Sequence, residues 1–314
     1  MQIMSTRKIE RMSDNRVDVV SISVMLSVKE NNTKGSRHMA SSASHQDMNM
    51  RRIETGRITL NIREAGSGPL MLFFHGITAN SGTLAPFAVR FADRFNAIAV
   101  DQRGHGLSDK PESGYEAADF VEDIAALIKT LDRGPAILVG HSLGSRNSVA
   151  AAAKYPELVR SVVAIDFTPY IETEVFDALE ARVNAGDQLF KDQPTVEAYL
   201  AGRYPNIPPR AIRIRAETGY HEVDGGLRPL ASPSAMALIA AGLRADLSPA
   251  YREVSKPVLL MRGAESRLVS AEALAKTSSL RPDLPVVVVP GADHYVNEVS
   301  PDITYRAITN FIEA

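Results

Sequence analysis

At 314 residues the chain is long enough for one large α/β domain carrying an insertion, or for two small domains. Its 45% hydrophobic and 23% charged residues and net charge of −2 are those of an ordinary globular protein, and argue against a nucleic-acid or membrane-surface partner. The absence of cysteine excludes disulfides, thiolate metal sites and a cysteine nucleophile, and no apolar run approaches the ~18 residues needed to span a bilayer, so a soluble, cytoplasmic protein is expected.

Residues 1–50 differ from the rest. They are rich in Met, Ser, Asn, Lys and Arg, with one apolar patch, VDVVSISVMLSV, at 17–28. The order of charge and apolar residues fits a secretory signal poorly. The run GSRHMASS at 35–42 resembles a cloning scar joining an expression leader to a native start, so residues 1–50 are expected to lie outside the fold.

From Ile53 the pattern becomes strand, turn, strand, and then strands alternating with helices. RITLNIREAG alternates over Ile58, Leu60 and Ile62, which predicts a half-exposed strand. LMLFFHG at 70–76 is continuously apolar and predicts a buried one. Helical spacing through Leu84, Phe87, Ala88 and Phe91 follows, then the strand NAIAVD and the Gly-rich loop QRGHGLSDKP. That loop has glycines but not the spacing of a dinucleotide fingerprint. Val121, Ile124, Leu127, Ile128 and Leu131 mark an amphipathic helix, ended by Gly134-Pro135.

The next stretch, ILVGHSLGSRNSVAAAAKYP at 137–156, reads as a short buried strand turning into a helix through Gly-x-Ser-x-Gly. A reversal that tight strains the central residue, and is tolerated only where the positions two before and two after lack bulk, as Gly140 and Gly144 do. Such a turn lifts the Ser142 hydroxyl above the sheet, next to the following amide and the positive end of the new helix. A five-position pattern also arises by chance, but here a strand and a helix flank it.

Another buried strand, VRSVVAID, covers 159–166. From about 168 to 251 the rhythm breaks into helical patterns punctuated by Pro194, Pro205, Pro208, Pro209, Pro229 and Pro233, with no buried strand expected. The alternation resumes with PVLLMRG, a helix near 271–278, PVVVVPG and a last helix from about 302 to 312. Buried strands alternating with helices predict a mostly parallel sheet covered on both faces.

The order HG, DQRGHGLSD, GHSLGS, helical insertion, PVLLMRG and GADHYVNEVSP, over residues 53–314, resembles the α/β-hydrolase fold superfamily with a helical cap. The resemblance implies an eight-stranded, mostly parallel sheet flanked by helices, with residues 51–168 and 251–314 as the core and 169–250 as the cap. It also implies a nucleophile, acid and histidine in that chain order. His294, in the Gly-Ala-Asp-His loop, has the context of the last; His38, His45, His75, His105, His141 and His221 do not. The acid departs from the usual pattern, because Gly263-Ala264-Glu265-Ser266 places a serine where relatives commonly carry aspartate. Asp166, at the end of the preceding strand, is preferred over Glu265, whose plain alternative is a solvated loop carboxylate. The amides of Ile77 and Leu143 occupy the oxyanion-hole positions.

In the cap, the stripe Val175, Leu179, then Arg182 with Val183, and the stripe Val196, Tyr199, Leu200, then Arg203, each put a guanidinium where the helical period calls for an apolar residue. A buried guanidinium needs a partner. Ion pairs within the cap, with Glu180 or Glu197, or snorkelling to the surface would serve. So would the carboxylates of a substrate, with Tyr204 as a neighbouring hydroxyl. Together with these arginines, the resemblance implies a serine hydrolase cleaving an amide bond of a small carboxylated substrate, without cofactor or metal. A carbon–carbon bond hydrolase of ring-cleavage products, a small-molecule carboxylesterase and a non-catalytic ligand receptor stay open, as does a homodimer.

Overall fold

A computed structural model of the chain describes residues 44–314. Most of the expected leader, His38 included, lies outside the described residues. The fold nevertheless reaches back past the expected boundary at residue 50. Met48 is buried, and strand β1 (Asn49–Glu54) pairs antiparallel with β2 (Thr59–Ala65). β1 is an edge strand with one buried side chain, Ile53, so it carries no apolar alternation; Arg51 instead bonds Glu64 across the ladder at 2.7 Å.

The chain continues through β3 (Leu70–Phe74), α1 (Ser81–Ala88), β4 (Asn96–Val100), α2 (Ala117–Leu131), β5 (Ala136–His141), α3 (Leu143–Lys154) and β6 (Val159–Ile165). The insertion holds α4 (Thr173–Asn184), α5 (Gln193–Arg203), α6 (Pro209–Gly219), a hairpin β7 (Tyr220–Val223) and β8 (Gly226–Pro229), α7 (Pro233–Gly242) and α8 (Ser248–Glu253). β9 (Val258–Gly263), α9 (Ala271–Leu280), β10 (Val286–Val289), α10 (Val296–Val299) and α11 (Pro301–Glu313) complete it. One eight-stranded sheet runs β1-β2-β4-β3-β5-β6-β9-β10, and is parallel from β4 to β10.

The side-chain period of two divides each central strand between two cores. Leu70, Leu72 and Phe74 face the side packed by Phe120, Ile124 and Leu127 of α2 and Val149 of α3. Met71 and Phe73 face the side packed by Leu84 and Phe87 of α1 and Ile308 of α11. β2 is more enclosed than its alternation predicts, because the Gly-rich loop folds over it: buried Asn61 bonds Asp101 at 2.8 Å, and its N–H bonds Ser108 Oγ at 2.8 Å.

The insertion is helical as expected, with a hairpin that the absence of buried strands concealed; Asp224 and Gly225 make its turn, with Gly225 at φ 85° and Gly226, the first residue of β8, at 148°. α5 and α6 share a small apolar cluster through Val196, Leu200, Ile212 and Ala216. α7 and α8 instead pack into the cluster of the main sheet through Met236, Ile239 and Tyr251. The Tyr251 hydroxyl donates to the Phe167 carbonyl at 3.0 Å, so α8, which straddles residue 250, returns the chain to the sheet.

Candidate active site

Ser142 stands between β5 and α3 with φ 53° and ψ −115°. That strain is sustained by close approach on both sides. A side chain on Gly140 would strike the backbone of Gly144, and one on Gly144 would strike the backbone of Phe74. The elbow is braced by Ser142 N–H to Ile165 O at 2.9 Å and Gly144 N–H to His75 O at 3.2 Å. The Leu143 amide opens α3, where no intrahelical acceptor exists. Among the described residues neither it nor the Ile77 amide has a hydrogen-bond acceptor, so both donors remain available to an oxyanion.

The loop carrying Ile77 is held by His75. Its Nδ1 donates to the Gly76 carbonyl at 2.7 Å, while Nε2 accepts from Gln102 N–H at 3.1 Å, an arrangement that needs a neutral ring. Burial, partly opposed by the Gly76 hydrogen bond, brings its pKa down to about 4. Gln102 donates to the His75 carbonyl at 2.6 Å and accepts from Asn147 at 2.8 Å, tying this loop to the nucleophile helix.

Asp166, wholly buried, ends β6 at φ 51°. Its Oδ2 lies 2.7 Å from His294 Nδ1 and accepts the Ser266 hydroxyl at 2.6 Å, while Oδ1 accepts Gly263 N–H at 3.0 Å. Glu265 is exposed on its loop. Ser266, where the resemblance led an acid to be expected, thus meets the carboxylate that stands one strand earlier. Ser142 and His294 line one cavity, with Gly76, Ile77, His141, Arg182, Tyr204, Arg215, Tyr295 and Glu298. Its free volume of about 10 Å³ is room for one water molecule.

The cap arginines divide. Arg182 reaches this cavity, with the Tyr295 hydroxyl beside it; Glu180, its alternative partner, is taken by Arg244 at 3.0 Å. Arg203 does not line the catalytic cavity. It bonds the Arg182 carbonyl at 2.8 Å, the Tyr199 hydroxyl at 3.0 Å and the Tyr204 hydroxyl at 3.3 Å. It lines an adjoining cavity of about 120 Å³, which shares Ala79, Thr83, Tyr204 and Arg215 with the first. Glu197 is engaged by Gln193.

The sequence reading missed Arg215. On α6 it follows buried Ile212 by three residues and precedes buried Ala216, so the rule that singled out Arg182 and Arg203 applied to it as well. It is 7% exposed, forks onto Glu298 at 2.5 and 2.9 Å, and lies over the rings of Tyr204 and Tyr295. Burial opposes its charge, but Glu298 more than offsets this and pushes its pKa up. Burial likewise opposes ionisation of Tyr204, yet Arg215, Arg203 and Arg182 together draw its hydroxyl below the usual tyrosine range. The cap side of the site is therefore a positive field with one internal carboxylate.

A strained serine on a strand-to-helix elbow, two open amides beside it and a buried Asp–His pair across the same sheet edge define a hydrolase of the α/β class. The pattern described as alpha/beta hydrolase fold matches residues 69–301, and the chain belongs to that family. It is 74% identical over 276 residues to the 2-(acetamidomethylene)succinate hydrolase of Mesorhizobium japonicum, a match covering 88% of this chain and 99% of the relative. A crystal structure of E-2-(acetamidomethylene)succinate hydrolase, 76% identical, covers 85% of this chain and 100% of its own with a TM-score of 0.84. The N-formylmaleamic acid deformylase of Pseudomonas putida, at 20% identity and TM-score 0.67, covers 83% of this chain and 100% of its own, and shares the fold.

Proposed function

We propose that this chain hydrolyses the amide bond of 2-(acetamidomethylene)succinate, a step of vitamin B6 degradation, releasing acetate and an aminomethylene fragment that yields succinate semialdehyde, ammonia and carbon dioxide. The reading is carried by the 74% identity, over nearly the whole chain, to a hydrolase of that substrate.

His294 Nε2 removes the Ser142 hydroxyl proton as Oγ attacks the acetyl carbon. Asp166, accepting from Nδ1, keeps the ring in the tautomer that leaves Nε2 basic and offsets the charge of the imidazolium. The Ile77 and Leu143 amides receive the oxyanion. The imidazolium returns its proton to the departing nitrogen, and water, deprotonated by the same ring, then releases acetate from Ser142.

The substrate carboxylates belong on the cap side. Arg182 faces the catalytic cavity and Arg203 the adjoining one, while Tyr204 and Arg215 line both. Arg203 already spends donors on Arg182 and Tyr199, so its share is to hold the arm of the substrate that passes Tyr204. With room for one water beside Ser142, binding requires the lining of this cavity to open toward the adjoining one. The test is acetate release by purified protein from the dicarboxylic enamide, compared with a neutral acetyl ester. Preference for the enamide by a hundredfold or more in kcat/KM is expected, and absence of acetate from it would refute the proposal. Cleavage of a carbon–carbon bond in a ring-cleavage product instead would move the reading to that class.

A further inference from the structure

The ring that immediately precedes the nucleophile is left unexplained by the triad. His141 ends β5 and is 5% exposed. Its Nε2 lies 2.8 Å from the main-chain oxygen of His294, and the two imidazoles stand with centroids 4.6 Å apart at 43°. A carbonyl oxygen can only accept, so Nε2 carries the proton and Nδ1 is bare. Burial first, and the neighbouring His294 next, hold His141 well below the ordinary histidine range, which keeps this neutral tautomer in place.

His294 sits in the short loop between β10 and α10. That loop is tied down just before it, by Glu265 N–H to Ala292 O at 2.9 Å and by Asn206 to Asp293 at 3.0 Å. Among the described residues, His141 makes the sole hydrogen bond to the main chain of His294 itself. The anchor is rigid, because β5 is central in the sheet and wholly buried. Gly76 packs tightly against the arrangement: a Cβ there would come within 3.1 Å of His141 Nδ1 and 3.2 Å of Ser142 Cβ, so a larger residue would press the Ile77 loop away from both.

We propose that His141 is a positioning residue, whose Nε2–H pins the His294 main chain so that the His294 ring is held between Asp166 and Ser142. Nucleophile and anchor are consecutive residues, so the distance from Ser142 to the base is set by one strand end and not by the reach of a loop. This rests on the triad reading given above. Its energetic weight follows from orientation: a base displaced by about 1 Å loses on the order of a hundredfold in rate while binding is unchanged.

The experiment is kinetics of His141→Leu and His141→Gln, with thermal melting of each and Ser142→Ala as control. His141→Leu is expected to lose on the order of ten- to hundredfold in kcat with KM within about twofold of the parent. His141→Gln, which can present an N–H near the same point, is expected to recover most of it. A Leu variant with parental kcat, or a Gln variant as slow as the Leu variant, overturns the inference. Turnover retained by Ser142→Ala would instead sink the triad reading itself. In case the Leu variant does not fold, ¹⁵N NMR of the unsubstituted protein decides. A neutral, Nε2-protonated His141 between pH 6 and 8 supports the anchor, and an Nδ1-protonated or cationic ring overturns it.

Discussion

At the scale of single residues the site separates groups that act on charge from groups that act on position. Asp166 lies 2.7 Å from His294 Nδ1, and its carboxylate is itself held by Gly263 and Ser266; in the proposed mechanism it holds the tautomer of that ring. Asp166→Asn is therefore expected to cost on the order of 10⁴ in kcat through the wrong tautomer, while Glu265→Gln, on an exposed loop, leaves kcat within about twofold. Steady-state rates of the two variants make the comparison; the reverse ranking would return the acid to the loop after Gly263.

The cap arginines give a second contrast. Arg182→Ala should lower kcat/KM on the dicarboxylic enamide by roughly 2–5 kcal/mol, because a substrate carboxylate then enters the site without its partner. Lysine restores only part, since it lacks the planar fork. A neutral acetyl ester has no carboxylate to lose, so its hydrolysis should hardly change. Arg203→Ala, which also removes the strut to Arg182, is expected to depress both activities, more on the charged substrate. Equal losses for Arg182→Ala on the two substrates would make that residue a cap brace only.

Among the elements, the elbow is the one whose backbone leaves no tolerance. β5 and α3 approach so closely that Gly144 abuts the carbonyl of Phe74 on β3. Gly144→Ala should destabilise the fold by about 3 kcal/mol through overpacking against backbone, which cannot rotate away as a side chain could. It should also abolish turnover, because the Leu143 amide shifts with the turn. A melting curve and an assay on the same sample check both, and a parental melting temperature would contradict the packing argument. The glycine spacing was legible in the sequence because it is local. β1 and the β7–β8 hairpin were not, because their side chains are mostly exposed or half-buried and leave no apolar period.

At the scale of the whole molecule, three histidines are buried as neutral rings beneath the site. Burial takes His75 to about 4 and His105 to about 3, with the latter pushed further by His75 beside it, and places His141 well below its ordinary range. Unfolded, each titrates near 6.5. Above that pH neither state binds the proton and nothing is lost. As the pH falls below 6.5 the unfolded chain takes up protons that the fold refuses, and stability falls until the folded values are reached. Between pH 7 and 5 His75 and His105 together should remove roughly 4 kcal/mol, and His141 adds to this in the same direction. Urea midpoints across that range measure it. His105→Gln should remove about a third of the dependence, and an unchanged slope would mean that the rings are not neutral in the fold.

The sequence by itself determined the family and most of the order of elements, and marked Ser142 and His294 as the candidate nucleophile and base. Each is written in short-range terms: an apolar run of strand length, a glycine two residues either side of a serine, motifs in a set succession. It also narrowed the acid to Asp166 or Glu265, and marked two guanidiniums as out of place on apolar stripes. Only the tertiary structure decided what those groups meet. Asp166 and His294 are 128 positions apart and share a hydrogen bond because β6 and the loop after β10 open on one edge of the sheet. Arg203 was turned from the catalytic cavity to its neighbour, and Arg215 was brought in with Glu298, because α4 buries its apolar face in the cluster of the main sheet while α5 and α6 bury theirs against each other. A helical period says which face of a helix is buried; what lies opposite that face depends on the rest of the chain.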